Sequence, residues 1–381
     1  MTISTFGFPT AIIFGAGARH GVAEHLRERG LRRPLIVTDR GIAPLPILAS
    51  FVAGLAGLEA AVFSGVIGNP TGAQVMAGAA AFKAHGADCV IGFGGGAALD
   101  VAKVVAVMAV HPGTILDYAW GPGMRPIDQE LPYLITLPTT AGTGSEVGRS
   151  SVISDDTTHI KKSVFSPKLL AKTVFADPEL TLDLPAGVTA ATGMDALTHN
   201  VESYLSPAYH PICDGVAVEG TRIAARALVA AVREPRNLQA RADMMMASMM
   251  GAIAFQKDLG ATHSCAHALG TVADMHHGLA NGIMIDHVMR FNRDAALDKF
   301  HVLAQAVGVA QASAAASADA FIAWLGELKA ALGIPAGLGS QGVNASHLER
   351  LVDVATADGC HQTNPRPCTR EDFLTIFRAA L

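Results

Sequence analysis

The feature that most limits how this chain can fold is a change of hydrophobic rhythm near Asp177-Pro178. Before it, short β-type runs alternate with stretches whose apolar residues recur every three or four positions; after it, the β-type runs stop. Such alternation predicts a parallel sheet covered by helices, because two parallel strands need a long crossover that a helix can fill. Strands are expected at 11–14, 34–38, 60–63, 89–93, 134–137 and 173–176, with helices at 21–29, 72–85 and 97–110 between them. From about Pro185 to Leu381 one helical segment follows another, including 213–232, 238–255 and 314–332, so the chain divides into domains at 1–184 and 185–381.

With 381 residues, half of them hydrophobic, two cores can be buried. The net charge of −5, without a Lys/Arg block interleaved with aromatics, argues against nucleic acid as a partner. Apolar runs are broken by Gly, Pro or charge before they reach a spanning length, so no membrane partner is expected. The stretch Met1-Thr2-Ile3-Ser4-Thr5-Phe6 lacks a basic region followed by an apolar one, and a cytoplasmic location is the expectation. The five Cys, at 89, 213, 265, 360 and 368, form no C-x-x-C and are expected as reduced thiols.

The helical half carries a second constraint. Asp195 and His199 stand at i and i+4 and share one helix face; His263 and His267 repeat that spacing, and His277 follows shortly after. Asp195, His199, His263 and His277 supply one carboxylate and three imidazoles, a ligand set for one divalent metal. A single His out of 15 would carry no such reading. Two spaced pairs along apolar segments do, because an unpaired carboxylate there is costly.

The first half holds two glycine-rich loops behind expected strands. Gly94-Gly95-Gly96 opens the helix that carries Asp100 and Lys103, and such a loop presents backbone N–H groups to a pyrophosphate. Pro138-Thr139-Thr140-Ala141-Gly142-Thr143-Gly144-Ser145-Glu146 adds hydroxyls at Thr139, Thr140 and Thr143. Together they favour a dinucleotide. Asp39, at the end of its strand, can accept both ribose hydroxyls and would repel a 2′-phosphate, which favours NAD over NADP, although Arg40 softens that preference. Gly15-Ala16-Gly17 is a near-match whose third glycine falls at 21 instead of 20, and it reads as a tight turn.

These motifs, taken in order, resemble the iron-containing (group III) alcohol dehydrogenases from about Phe8 to the C-terminus: the two loops, Asp177-Pro178, the stretch 192–199, the stretch 263–270, and His277-Gly278. The resemblance implies a dehydroquinate synthase-like fold, with a Rossmann-like α/β dinucleotide-binding domain followed by an all-α metal-binding and catalytic domain. It implies the same four metal ligands, with His267 beside the nicotinamide in proton relay or substrate positioning. Asp39 and Asn69 would contact the adenosine; Gly95, Gly96, Thr139, Thr140 and Thr143 would line the phosphates and nicotinamide ribose, with Asp100 near them; Lys161 would reach the ribose. Ser150, Phe255 and Cys360 match substrate-pocket positions.

The implied activity is a metal-dependent, NAD(H)-linked alcohol dehydrogenase or aldehyde reductase acting on a small alcohol, diol or hydroxy acid. A dehydroquinate synthase-like lyase using NAD and metal, or a metal-free maleylacetate-type reductase, is the alternative. The family favours Fe²⁺ and general ligand affinities favour Zn²⁺; a homodimer or higher homo-oligomer is expected. The chain departs from the family pattern at Ala97, where a Ser is usual, and at His276, where Pro is frequent and where the imidazole is a second candidate ligand or relay. The stretch 255–260 is also one residue shorter than in many members. Arg149 and Lys257 are the conspicuous cations near the expected pocket, either facing a substrate carboxylate or lying on the surface.

Overall fold

The protein is described by a computed structural model that covers residues 10–158 and 160–381; the N-terminal stretch 1–6 and the start of the resemblance at Phe8 lie outside the described residues. Eight strands form: β1 (Ala11–Phe14), β2 (Pro34–Asp39), β3 (Ala61–Val66), β4 (Cys89–Gly94), β5 (Tyr133–Pro138), β6 (Ser150–Ser154), β7 (Lys161–Phe165) and β8 (Thr173–Ala176). Six of them make one parallel sheet in the order β1-β8-β5-β4-β2-β3. Every residue of β4 is buried, as a central strand covered on both faces requires, which explains its unbroken apolar run. Helices α1 (Val22–Glu28), α2 (Pro46–Gly54), α3 (Gly72–His85) and α4 (Gly96–Val110) supply the crossovers. Ile36, Ile91, Phe93, Ile135 and Leu137 meet Val22, Leu26 and Phe51 in the core of this unit.

Two elements escaped the pattern reading. The antiparallel pair β6–β7 is short and rich in Ser and Lys, so its apolar alternation is weak. Helix α2 is only nine residues long and starts with Pro46, which suits the first turn because no N–H is needed there.

Beyond β8 the chain is helical: α5 (Ala186–Leu205), α6 (Pro211–Arg233), α7 (Leu238–Ala254), α8 (Ala261–Ala273), α9 (His277–Asn292), α10 (Leu297–Ala306), α11 (Ala314–Leu332), α12 (Leu348–Ala357) and α13 (Arg370–Ala380). Helix α5 packs against α6, α7 and α9 and is buried along most of its length. Met244, Met245 and Met249 fill this core. Contacts divide the described residues into two compact units, 10–140 with 144–181 and 182–381 with 141–143. Among the described residues, no helix is long and apolar enough to cross a membrane.

Candidate active site

Three helices bring the expected ligands together. Asp195 and His199 lie one turn apart on α5, His263 is in the first turn of α8, and His277 is the first residue of α9. The Nε2 atoms of His277, His263 and His199 lie 3.4, 3.7 and 3.9 Å from Asp195 Oδ1. Donors around one tetrahedral ion sit about 3.4 Å apart; Asp195, His263 and His277 offer ligand atoms that all lie within 4.8 Å of one another, and His199 stands at the edge of that trio, 3.9 Å from the same oxygen. Asp195, His199 and His263 are buried while the His277 side chain is 28 % exposed, so the set opens on the His277 side, as a catalytic metal requires. Gly278 lets α9 start so close to α5: a Cβ there would collide with the Ala191 carbonyl.

Electrostatics match the geometry. Burial alone would raise the Asp195 carboxyl, but the surrounding imidazoles of His199, His277 and His263 hold it well below the usual carboxylate range. Burial lowers His199 to about 4 against the pull of Asp195, so its ring is neutral and able to ligate near neutral pH. Burial also works against a charge on His263, yet the hydrogen bonds to Asp195 and Glu202 raise it.

The second member of the α8 pair has a different partner. His267 Nδ1 is 2.8 Å from Asp358 Oδ2, and its ring stacks on His277 with centroids 5.3 Å apart. Asp358 also accepts from Ser264 Oγ and from the Cys360 N–H, both at 2.8 Å. Burial would raise Asp358, but its bond to His267 and these further donors hold it well below the usual range. The Cys360 thiol stands beside this dyad, pushed well up by burial and by Asp358, and therefore stays protonated. Phe255 packs on the expected ligand His199, ring centroids 5.4 Å apart.

Three supporting residues were missed by the sequence reading: Glu202, Asn281 and Asp358. Glu202 follows His199 by three positions on α5 and its Oε2 is 2.7 Å from His263 Nδ1. Asn281 follows His277 by four on α9; its Nδ2 donates to Asp195 Oδ1 at 2.7 Å and lies 3.2 Å from Nε2 of both His263 and His277. Helical spacing from an expected ligand could have flagged both residues, though not the partners they take. Asp358 stands 91 residues from His267, and no local signal connects them.

Two expectations are corrected here. His276 falls outside the cluster of candidate ligands: it is exposed, and its Nδ1 caps α9 by accepting the Leu279 N–H. Lys257 is neither a surface charge nor a pocket cation, because its ammonium is buried against Asp214 and donates to the Tyr204 carbonyl. The shortened stretch 255–260 closes with Asp258 at φ 62° and ψ −175°, a region that a non-glycine residue enters only under strain. Arg149 places its guanidinium 5.5 Å from the centre of the Phe165 ring.

In the sheet unit, the C-terminal ends of adjacent β2, β4 and β5 bring Asp39, Gly94 and Pro138 side by side, the place where open α/β sheets take ligands. Gly94 has φ +154°, and a Cβ there would lie 2.7 Å from Ala98 Cβ, so only glycine fits. Helix α4 begins at Gly96 with no side-chain cap on its N-terminus, which leaves its first N–H groups for an anion despite Ala97. Thr140 lies against Gly95, and the Thr139 N–H donates to the Gly94 carbonyl at 3.0 Å. Asp39 spends Oδ1 on the Ile42 N–H at 2.9 Å and turns Oδ2 towards Gly94.

Asp100, expected near the phosphates, is tied into the sheet unit. Its oxygens accept from Ser145 Oγ at 2.6 Å and the Val152 N–H at 2.9 Å, and Lys103 Nζ is 3.1 Å away, so it ties α4 to the second loop and β6. Lys103 is buried beside it and donates to the carbonyls of Ser145 and Ser150. Asn69 is exposed in the turn after β3, Lys161 opens β7 opposite Ser154, and Thr143 belongs to the segment that groups with the helical unit. The Gly15-Ala16-Gly17 turn is fastened to the residue just after β8, with the Gly17 N–H donating to Asp177 Oδ1 at 3.1 Å.

The family model described as iron-containing alcohol dehydrogenase matches residues 9–178, and its Fe-containing C-terminal counterpart matches residues 189–381. The chain belongs to the iron-containing alcohol dehydrogenase family. Its activity is that of an NAD-linked alcohol dehydrogenase, an oxidoreductase acting on small alcohols or aldehydes. The 4-hydroxybutyrate dehydrogenase of Cupriavidus necator is 39 % identical over 363 residues, covering 92 % of this chain and 93 % of that protein. The crystal structure of a 1,3-propanediol oxidoreductase superposes with a TM-score of 0.95 at 35 % identity, covering 99 % of this chain and all of the other. A sulfoacetaldehyde reductase from Bifidobacterium kashiwanohense, solved with NAD⁺, gives a TM-score of 0.89 at 28 % identity, covering 100 % of this chain and 99 % of that one.

Proposed function

We propose that Asp195, His199, His263 and His277 hold one catalytic divalent ion, Fe²⁺ in the first place and Zn²⁺ in the second, and that the β2, β4 and β5 loops hold NAD in preference to NADP. The observation that carries this reading is the convergence of three imidazole nitrogens on one buried carboxylate oxygen, open on one side. When bound, the ion supplies Lewis acidity to a substrate hydroxyl, and the nicotinamide supplies a hydride acceptor. Residues 1–184 serve the dinucleotide and residues 185–381 the metal and the reacting carbon.

Each side chain then has a defined part. His267, whose Nδ1 hydrogen goes to Asp358, exchanges the hydroxyl proton at Nε2. Phe255 and Cys360 form apolar or weakly polar pocket wall, and Phe255 shields His199 from water. Gly95, Gly96 and the first N–H groups of α4 take the pyrophosphate, Thr139, Thr140 and Thr143 the adjoining oxygens, and Asp39 with Asn69 the adenosine side. Lys161 serves the ribose and Ser150 the substrate.

The substrate class is a primary alcohol, diol or hydroxy acid. With Lys257 committed to Asp214, a substrate carboxylate would rely on Arg149. A homodimer is part of the proposal as the default symmetry for such an enzyme, and five free thiols support a reducing, cytoplasmic setting.

The test is metal analysis of protein purified without oxygen, followed by chelation, metal add-back and a spectrophotometric screen of alcohols, diols and hydroxy acids with NAD and NADP. Activity lost on chelation and restored by Fe²⁺ or Zn²⁺, with NADH accumulating in step with product, is expected. Full activity after the metal is gone would favour the metal-free reductase reading, and NADH that never accumulates would favour the lyase.

A further inference from the structure

We propose that Glu202 is the positioning residue of the metal centre: its carboxylate takes the Nδ1 hydrogen of His263 and thereby commits Nε2 of that ring to the ion. The inference rests on the four-ligand reading above. Glu202 is 2 % exposed, and its oxygens meet His263 Nδ1 at 2.7 Å together with the N–H groups of Thr262, Gly260 and His263 at 2.6, 3.0 and 3.4 Å. A carboxylate this deep is costly unless donors surround it, and here four do.

The bonds divide the work. Those to the three N–H groups satisfy donors at the start of α8, where helical carbonyls cannot reach, and so fix where His263 sits along that helix. The bond to Nδ1 fixes the rotation of the ring and its tautomer. A neutral imidazole carries one hydrogen; spent at Nδ1, it leaves the lone pair on Nε2, which faces Asp195. The approach is close, since a Cβ at Gly260 would lie 2.8 Å from Glu202 Oε1. Because Glu202 shares α5 with Asp195 and His199, one helix supplies two ligands and sets the direction of a third.

The experiment compares full-length wild type, Glu202→Gln and Asp195→Ala by zinc competition titration, Co²⁺ absorption spectra and thermal unfolding of the metal-free protein. Glutamine keeps one oxygen for the helix start but presents a neutral carboxamide to His263, so zinc affinity is expected to fall about 10- to 100-fold with altered Co²⁺ bands. Unchanged zinc affinity and Co²⁺ bands, with only a lower unfolding temperature, would make Glu202 a helix cap and overturn the proposal. If Asp195→Ala also binds metal like wild type, the ligand reading itself falls, a failure separate from that of Glu202. Should Glu202→Gln not fold, nitrogen NMR on zinc-loaded, ¹⁵N-histidine-labelled wild type decides. A His263 ring with hydrogen on Nδ1 and metal on Nε2 is expected, and the opposite arrangement refutes the assignment.

Discussion

The two units build their candidate sites from different material. In the sheet unit the chemistry lies mainly in the backbone: glycines at strand ends and the bare N-terminus of α4, with Asp39 as the main charged group. In the helical unit it lies in side chains from three helices, held by buried polar groups on α5 and α9 and by the half-buried Asp358 at the end of α12. A backbone site depends on what is absent, since a Cβ added at Gly94 would spoil it. A side-chain site depends on partners that must be found across the fold.

The sharpest way to break this comparison is Asp195→Ala. It removes the one oxygen that all three imidazoles face, and a loss of bound metal together with at least about a thousandfold loss of kcat is expected, measured by metal analysis and NADH formation. NAD binding, followed by fluorescence quenching, should stay near wild type; a parallel loss there would show that the two sites are not independent.

Gly94→Ala is the mirror experiment. It forces a Cβ into the 2.7 Å approach to Ala98 at φ +154°, so NAD affinity should fall about tenfold or more while metal content is retained, at a stability cost of about 1–3 kcal/mol. Retained NAD affinity would move the pyrophosphate site away from this loop.

Comparing the pH profiles of wild type and Glu146→Gln addresses the sheet unit. Burial pushes Glu146 up to about 7, so the folded chain holds this carboxyl neutral at pH values where the unfolded chain has released the proton. Its contribution is therefore fully present below the ordinary Glu range and is lost as pH rises through about 7. Chemical denaturation from pH 5 to 8 should show this decline, on the order of 3 kcal/mol at most, and Glu146→Gln should flatten it. An identical slope in the variant would exclude Glu146 as its source.

The smallest effect belongs to the helical unit. Asp258→Gly should relieve the backbone at φ 62° and raise stability by about 1 kcal/mol with metal content unchanged, read from the unfolding midpoint. A destabilised variant would mean that the Asp258 side chain contributes more than its backbone costs.

Much of this was legible in the chain before folding. The six parallel strands follow from short apolar runs at crossover spacing, and the Asp195–His199 pair from its i, i+4 spacing, because both rest on periods that a helix or strand imposes on its own neighbours. The β6–β7 pair was illegible because Ser and Lys mask the alternation, and the bonds of Asp100 to Ser145 and Val152 were illegible because those partners lie 45 and 52 residues away, a separation that no local period encodes.

The chain alone carried the two-part architecture and the glycine loops, which short-range spacing sets, and it offered the four candidate ligands without bringing them together. Tertiary structure alone decided that His267 answers to Asp358, that Asn281 holds Asp195, that Lys257 is spent on Asp214 and that Glu202 reaches His263 from another helix. The physical reason is burial: once desolvated, each charged group must find a partner wherever packing brings one within hydrogen-bond reach, and that pairing follows distance in space and not position along the chain.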